Sequence, residues 1–423
     1  MKKFIILMLI FSALQTLSAQ NRMTIEECQE KARTNYPLIS QYDLISKSTE
    51  YTLSNISKSY LPQFSLNGQA TYQSEVTKLP IDFSSLGLPI DIKGMNKDQY
   101  KATIDVNQVV WDGGSNNAKK IVTKANAESE RSHIEVALYQ IKERVNQLYF
   151  GILAINEQIK LLDILKEDLG ANKVVMQSMF SNGTITQSDL DQINVELLNI
   201  EQNRIEQETL KESFLKMLSL YTKLEINKNT ILEKPQDRAI GNDIINRPEL
   251  NYYKSQRMAL EMQEHVIKAK NMPQVGLFAQ GGYGRPGLNM LENRFKLFAI
   301  GGIKLSWNFG NLYTRKNERH QIDLNKNDID IQEEVFLFNT NLQLTQQHSE
   351  IEKLKTQLEK DDEIITLRRR VKIASESKYK NGAYQINDLI KDINAENQAR
   401  QQKVLREIQY TQSIYNYQYT QGN

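Results

Sequence analysis

The chain writes its punctuation twice. Asn35-Tyr36-Pro37-Leu38 returns as Asn246-Arg247-Pro248-Glu249, and Leu61-Pro62-Gln63-Phe64-Ser65-Leu66 returns as Met272-Pro273-Gln274-Val275-Gly276-Leu277, both offset by 211 residues. Phe180-Ser181-Asn182-Gly183, with Asp189-Leu190 behind it, returns as Tyr379-Lys380-Asn381-Gly382 with Asp388-Leu389, offset by 199. Solenoid repeats have periods of roughly 20–50 residues, so this spacing is not theirs. It marks a duplicated half-protein, 20–234 and then 235–423, and whatever one half builds the other builds again.

Between these marks the chain is nearly free of helix breakers. It has 19 Gly and 8 Pro in 423 residues, and none of the prolines falls between Gly114 and Pro235. From Ile141 the apolar positions run Ile141, Val145, Leu148, Ile152, Ile155, Ile159 and Leu162, alternating spacings of four and three. That is a heptad seam. Ser115 to Phe180 would be about 99 Å long as one helix. A periodic run of that length implies coiled-coil packing. At Asn182-Gly183 and Asn381-Gly382 a glycine with positive φ would let the chain turn back on itself. Two coiled-coil hairpins are therefore expected, at about 115–221 and about 311–418.

Before each long helix the period changes to two. Phe64, Leu66, Gly68, Ala70 and Tyr72 alternate with Ser65, Asn67, Gln69 and Thr71. Tyr100, Ala102, Ile104 and Val106 alternate with Lys101, Thr103, Asp105 and Asn107, and the phase slips near Gln108. The second half repeats the pattern. Four strands are predicted, at about 62–75, 99–111, 273–284 and 295–309, with a polar loop at 76–98 inside the first pair. Strands of about ten residues with one apolar face and aromatic ends fit a transmembrane β-strand. They fit a half-buried soluble hairpin as well. Four strands cannot close a barrel in lipid, because open edges would leave backbone groups unpaired. On the membrane reading, three copies would supply about twelve strands.

The first residues read as an export signal, 1–19: Lys2-Lys3, an uncharged apolar run, and a small residue at Ala19. Without Lys2 and Lys3 the chain has 51 basic and 51 acidic residues, which gives no electrostatic argument for nucleic acid. Cys28 is the single cysteine, so no intrachain disulfide is expected. His133, His265, His320 and His348 show no ligand spacing, and there is no phosphate-binding glycine loop or nucleophile elbow. Neither catalysis nor a cofactor or metal is expected.

The chain resembles the TolC-like outer-membrane efflux proteins over nearly all of its length after the signal. The resemblance is carried by both Asn-x-Pro starts, Arg247-Pro248-Glu249-Leu250, both x-Pro-Gln strand openings, Trp111-Asp112-Gly113-Gly114 and both Asn-Gly turns. It implies a mixed α and β membrane protein. Each protomer would give two β-hairpins to a trimeric, twelve-stranded outer-membrane β-barrel and two antiparallel coiled-coil hairpins to a periplasmic α-barrel. It also implies a homotrimer in outer-membrane lipid that docks a periplasmic adaptor and an inner-membrane pump, of RND type in the first place and ABC type in the second. Such a tube passively conducts drugs, metal ions or other small solutes. The alternatives are the duct of a type I protein secretion system, and a soluble periplasmic coiled-coil adaptor. That last would need only one hairpin.

The resemblance assigns residues too. Asp189 and Tyr379 match a pair that helps hold the periplasmic end shut, and Asp388 matches a carboxylate lining the constriction. Asn182, Gly183, Asn381 and Gly382 match the hairpin tips where the adaptor docks. Lys391 and Tyr384 depart from the family pattern, which has an aspartate and an arginine there. Asp388 also has a plain structural reading, an acid in a first helical turn complementing the helix dipole.

Overall fold

The structure, a computed structural model, describes residues 22–77, 95–236 and 244–423. The expected signal at 1–19 and residues 78–94 of the expected loop lie outside the described residues. In chain order the elements are β1 (Arg22–Met23), α1 (Ile25–Asn35), a 3-10 turn (Pro37–Ser40), α2 (Gln41–Lys58), β2 (Gln63–Tyr72), β3 (Asp98–Trp111), α3 (Ser115–Ser181), α4 (Gln187–Thr222) and β4 (Ile231–Leu232). Then follow α5 (Pro248–Lys270), β5 (Gln274–Arg285), β6 (Lys296–Ser306), α6 (Asn311–Lys380) and α7 (Ile386–Gln421). The chain divides into two compact units. One holds the described residues of Met1–Gln41, His133–Asn251 and Glu333–Asn423, and the other Tyr42–Ser132 and Tyr252–Gln332.

The second unit is built on one antiparallel sheet of order β2-β3-β5-β6. Its register pairs Leu66 with Ile104 and Ile104 with Gly281, and Gly68 with Ala102, Tyr283 and Leu297 in turn. Directly paired residues share a face. One face is therefore apolar across all four strands, and it is bare: Leu66, Leu297 and Ile303 are each more than 70% exposed. The other face carries Asn67, Lys101, Thr103, Asp105 and Gln280. There the Asp105 carboxylate accepts from Asn67 (2.6 Å), from Thr103 (3.0 Å) and from Gln280. The β3–β5 register shifts between Val109 and Trp111, where the sequence loses its alternation. The outer edges of β2 and β6 have no strand partner among the described residues.

Trp111-Asp112-Gly113-Gly114 converts strand to helix. The Asp112 carboxylate accepts from the Gly114 and Asn116 amides and from the Tyr60 hydroxyl, so it caps α3 in place of a helical turn. Gly113 has φ +67°, and a Cβ there would stand 2.6 Å from that of Met272. Only glycine fits.

The first unit is held by long apolar seams. Tyr149 is fully buried on α3, and its hydroxyl lies 2.7 Å from the carbonyls of both Met23 and Glu233, which share its one proton, where β1 and β4 meet. Arg247 pairs with Glu249 and lies against the rings of Tyr139 and Tyr419, at 5.0 and 4.9 Å. This explains locally why the second repeat opens on Arg-Pro-Glu: the nearly buried guanidinium needs both its acid and its aromatic walls. Among the described residues no helix is long and apolar enough to cross a membrane.

Candidate functional site

The two hairpin turns are backbone copies. Gly183 and Gly382 both have φ +71°. At the first, Gly183 N–H donates to Phe180 O and Thr184 N–H to Met179 O; at the second, Gly382 N–H donates to Tyr379 O and Ala383 N–H to Lys378 O. Both are Schellman endings, in which orphan carbonyls of the last helical turn are satisfied by a left-handed residue. Asn182, Gly183, Asn381 and Gly382 are all exposed, and a Cβ on either glycine would meet nothing within 4 Å.

The helices on either side pack into one core. Leu165, Leu169 and Met176 of α3 and Leu190, Ile193 and Ile200 of α4 meet Tyr379 of α6 and Ile386, Leu389, Ile390 and Ile393 of α7. Within this core the structure brings Asp189 and Tyr379 together. Burial, and then the negative charge of Asp189, raise the Tyr379 hydroxyl above its ordinary pKa. The two do not hydrogen bond: the buried Tyr379 hydroxyl has no partner. The Asp189 carboxylate accepts instead from the Thr186 amide (2.8 Å) and the Thr186 hydroxyl (2.7 Å), while the Thr186 oxygen accepts from the Asp189 amide. This is a full capping box at the start of α4. Asp189 is thus part of its own helix start first and a neighbour of Tyr379 second.

Asp388 stands apart from that pair. It is exposed on the first turn of α7, three residues before exposed Lys391. The α7 N-cap, Gln385, makes no side-chain cap bond. The nearby polar cluster belongs to Asp392, which accepts from Ser375 (2.5 Å) and from the Tyr384 hydroxyl (3.1 Å). The hydrogen bond to Asp392 raises the Tyr384 pKa, and a hydrogen bond with Ser375 offsets it in part.

A short way up from the turns lies a group that the sequence reading missed. Lys372 of α6 reaches Asp168 of α3 (2.5 Å) and Glu396 of α7 (3.3 Å), and Arg400 donates twice to Glu396 (2.8 and 2.5 Å). Glu396 is buried and Lys372 nearly so. Burial alone would push the Glu396 carboxyl up, but the Arg400 hydrogen bonds and the Lys372 charge outweigh it and hold it below the usual carboxylate range. Burial opposes the Lys372 charge likewise, and Asp168 and Glu396 reverse that and raise its pKa. One ammonium therefore ties three helices of the two hairpins. A sequence signal did exist: Ile386, Leu389, Ile393 and Glu396 share a seam spacing, so Glu396 is an acid at a core position.

Among the described residues no group of His, Cys, Asp and Glu could hold a metal ion. The hairpin tips are polar, as is one face of the sheet. No protein-family model matches the chain, and no curated protein matches it. Solved structures do match. The outer-membrane channel OprN gives a TM-score of 0.67 at 12% identity, covering 94% of this chain and 89% of its own. The Campylobacter jejuni CmeC outer membrane channel gives 0.64 at 15% identity, covering 94% and 85%. The outer membrane protein VceC from Vibrio cholerae gives 0.64 at 12% identity, covering 94% of each chain. The chain has the fold of the TolC-like outer-membrane channels.

Proposed function

We propose that the chain is the outer-membrane exit duct of an efflux system, working as a homotrimer in outer-membrane lipid. The observation that carries this reading is the sheet: one face apolar and bare, the other polar, with two unpaired edges. In lipid such edges must close on other copies, and three sheets of four strands make a barrel of about twelve. The similar solved structures are themselves outer-membrane channels, which supports the same location and a non-enzymatic role. A soluble adaptor would have no use for a bare apolar sheet in a chain that also carries two coiled-coil hairpins.

The duct is passive, and the pump that it serves supplies the energy. Its periplasmic end is formed by the two turns, with Asn182, Gly183, Asn381 and Gly382 meeting a periplasmic adaptor and, through it, an inner-membrane pump. Asp189 and Tyr379 hold the closed end. Tyr379 does so by filling the tip core, and Asp189 by fixing the start of α4. Three copies of exposed Asp388 form an anionic ring that favours cations, moderated by Lys391. Drugs, metal ions and other small solutes are the cargo classes such a tube admits.

Reconstitution of the full-length protein in planar lipid bilayers tests this. Discrete conductance steps are expected, with a cation preference that Asp388→Ala lowers and a resting conductance that Tyr379→Ala with Asp189→Ala raises. Recovery of mature monomer in a periplasmic wash, with no conductance in bilayers, would overturn the reading.

A further inference from the structure

Both returning helices lose their buried apolar seam part of the way along. On α4 the buried apolar side chains stop at Ile200 and resume at Leu215. On α7 they stop at Ile393 and resume at Ile408, with only Ala399 between. Each gap is about 21 Å of helix at 1.5 Å per residue. Along these gaps α3, α4 and α7 leave a slot of about 430 Å³, within the size range of small-molecule sites.

The slot is lined by carboxamides. Asn199, Asn203 and Gln207 come from α4, and Asn394, Asn397 and Gln401 from α7, each about one helical turn from the next. Gln158 of α3 adds a seventh. None of these side chains has a hydrogen-bond partner among the described residues. The remaining lining is aliphatic, from Leu162, Leu165 and Ile200, apart from the single acid Glu196.

A carboxamide turned into a cavity needs partners, because a polar group left without one is costly. Each offers an acceptor oxygen and two N–H donors. A ligand that satisfies several at once must carry donors and acceptors side by side. Hydroxyls do so, since each both donates and accepts. They radiate round a sugar ring, which suits polar groups arriving from three helices. A peptide strand presents its backbone groups on two edges only. A sugar also has C–H faces to lay on Leu165 and Ile200. Charge narrows the class further. No base lines the slot, and Arg204 and Arg400 on the same stretches are engaged by Asp163 and Glu208 and by Glu396. Nothing there neutralises an anion, whereas Glu196 can accept from hydroxyls in charge-assisted bonds.

We infer that this slot is a binding site for a neutral saccharide, held by the carboxamides of α3, α4 and α7. The inference goes beyond the duct reading and does not depend on it, since binding is read on the chain itself. In a duct the slot would hold hydroxyl-rich solutes and leave anionic ones unheld.

Ligand-observed NMR on the full-length protein, in a detergent without a sugar headgroup, tests this with maltose as the probe. Saturation transfer from protein to maltose protons is expected. Asn203→Leu with Asn397→Leu should raise the dissociation constant about tenfold, the worth of two hydrogen bonds. Gln202→Leu with Gln398→Leu makes the same kind of change on exposed neighbours outside the slot and should leave it unaltered. In the unsubstituted protein, methyl glucuronide should bind about tenfold more weakly than methyl glucoside, and Glu196→Gln should narrow that gap. Absence of transfer to maltose would mean a slot filled by water alone and overturn the site. Equal losses in the two double variants would place the binding elsewhere and overturn it too. Trialanine bound as tightly as maltose would overturn the saccharide class. None of these results touches the duct reading, which bilayer conductance decides.

Discussion

The turn at Asn182-Gly183 and the turn at Asn381-Gly382 share their glycine φ and both backbone hydrogen bonds. What surrounds them does not match. In the repeat register that aligns the turns, Tyr384, Asp392 and Glu396 of the second fall where the first has Ile185, Ile193 and Leu197. Lys372 falls where the first has Lys173, which makes no ion pair among the described residues. The first turn is self-sufficient: its returning helix is capped by Thr186 and Asp189, and its inner face is apolar. The second lacks a side-chain cap and is fastened by the ions that reach Asp168, with its own Tyr379 set in the core it shares with the first. Duplication kept the backbone device and let the packing diverge. One hairpin is a self-capped support, and the other is a part fastened to it by bonds that can be broken.

The largest expected effect separates the two lysines. Lys372→Met leaves Glu396 buried with only Arg400 and should destabilise the helical hairpins by about 3 kcal/mol. Lys173→Met should stay within about 0.5 kcal/mol. Thermal unfolding followed by circular dichroism reads both, and equal shifts would erase the contrast. The glycines should instead behave alike. Gly183→Ala and Gly382→Ala each place a Cβ at φ +71° and should each lose about 1 kcal/mol. Unequal losses would mean that the backbones are not equivalent.

Capping should be lopsided. Thr186→Ala should lose about 1 kcal/mol and Gln385→Ala nothing measurable. Gln385→Thr, with Asp388 already at the third helical position, should gain several tenths of a kcal/mol.

The smallest effect expected is on pH. The Glu396 carboxyl is held below its unfolded value, so its contribution is present above that value and lost as pH falls through the folded one. Acidification below about pH 4 should therefore loosen the second turn before the first. Histidine-range titration, from pH 8 to 6, should leave the two equal, and a difference there would point to another group.

The fold was legible because its determinants are local and repeated. Period-two strands, breaker-free heptads and glycine turns each act within a few residues of themselves. The bulge near Gln108 was readable for the same reason: one extra residue flips the face of everything after it. The capping of α4 by Thr186 and Asp189 is equally local, yet the family resemblance drew attention to Asp189 as a gate member and away from its bonds to Thr186. The ion group was not legible as a group. Asp168 and Lys372 are 204 residues apart and meet only once both hairpins have formed. Glu396 at a seam position was the visible trace. The resemblance marked Tyr384 only as a departure from the family's arginine. What it does, donating to Asp392, needs α6 and α7 folded against each other.

The central claim is that the second turn is fastened through Lys372 and the first fastens itself. Hydrogen–deuterium exchange of the assembled protein tests it most directly, comparing peptides 178–190 and 377–390 with and without Lys372→Met. Faster exchange in 377–390 with 178–190 unchanged is the predicted result. An equal rise in both peptides, or no change in 377–390, would contradict it.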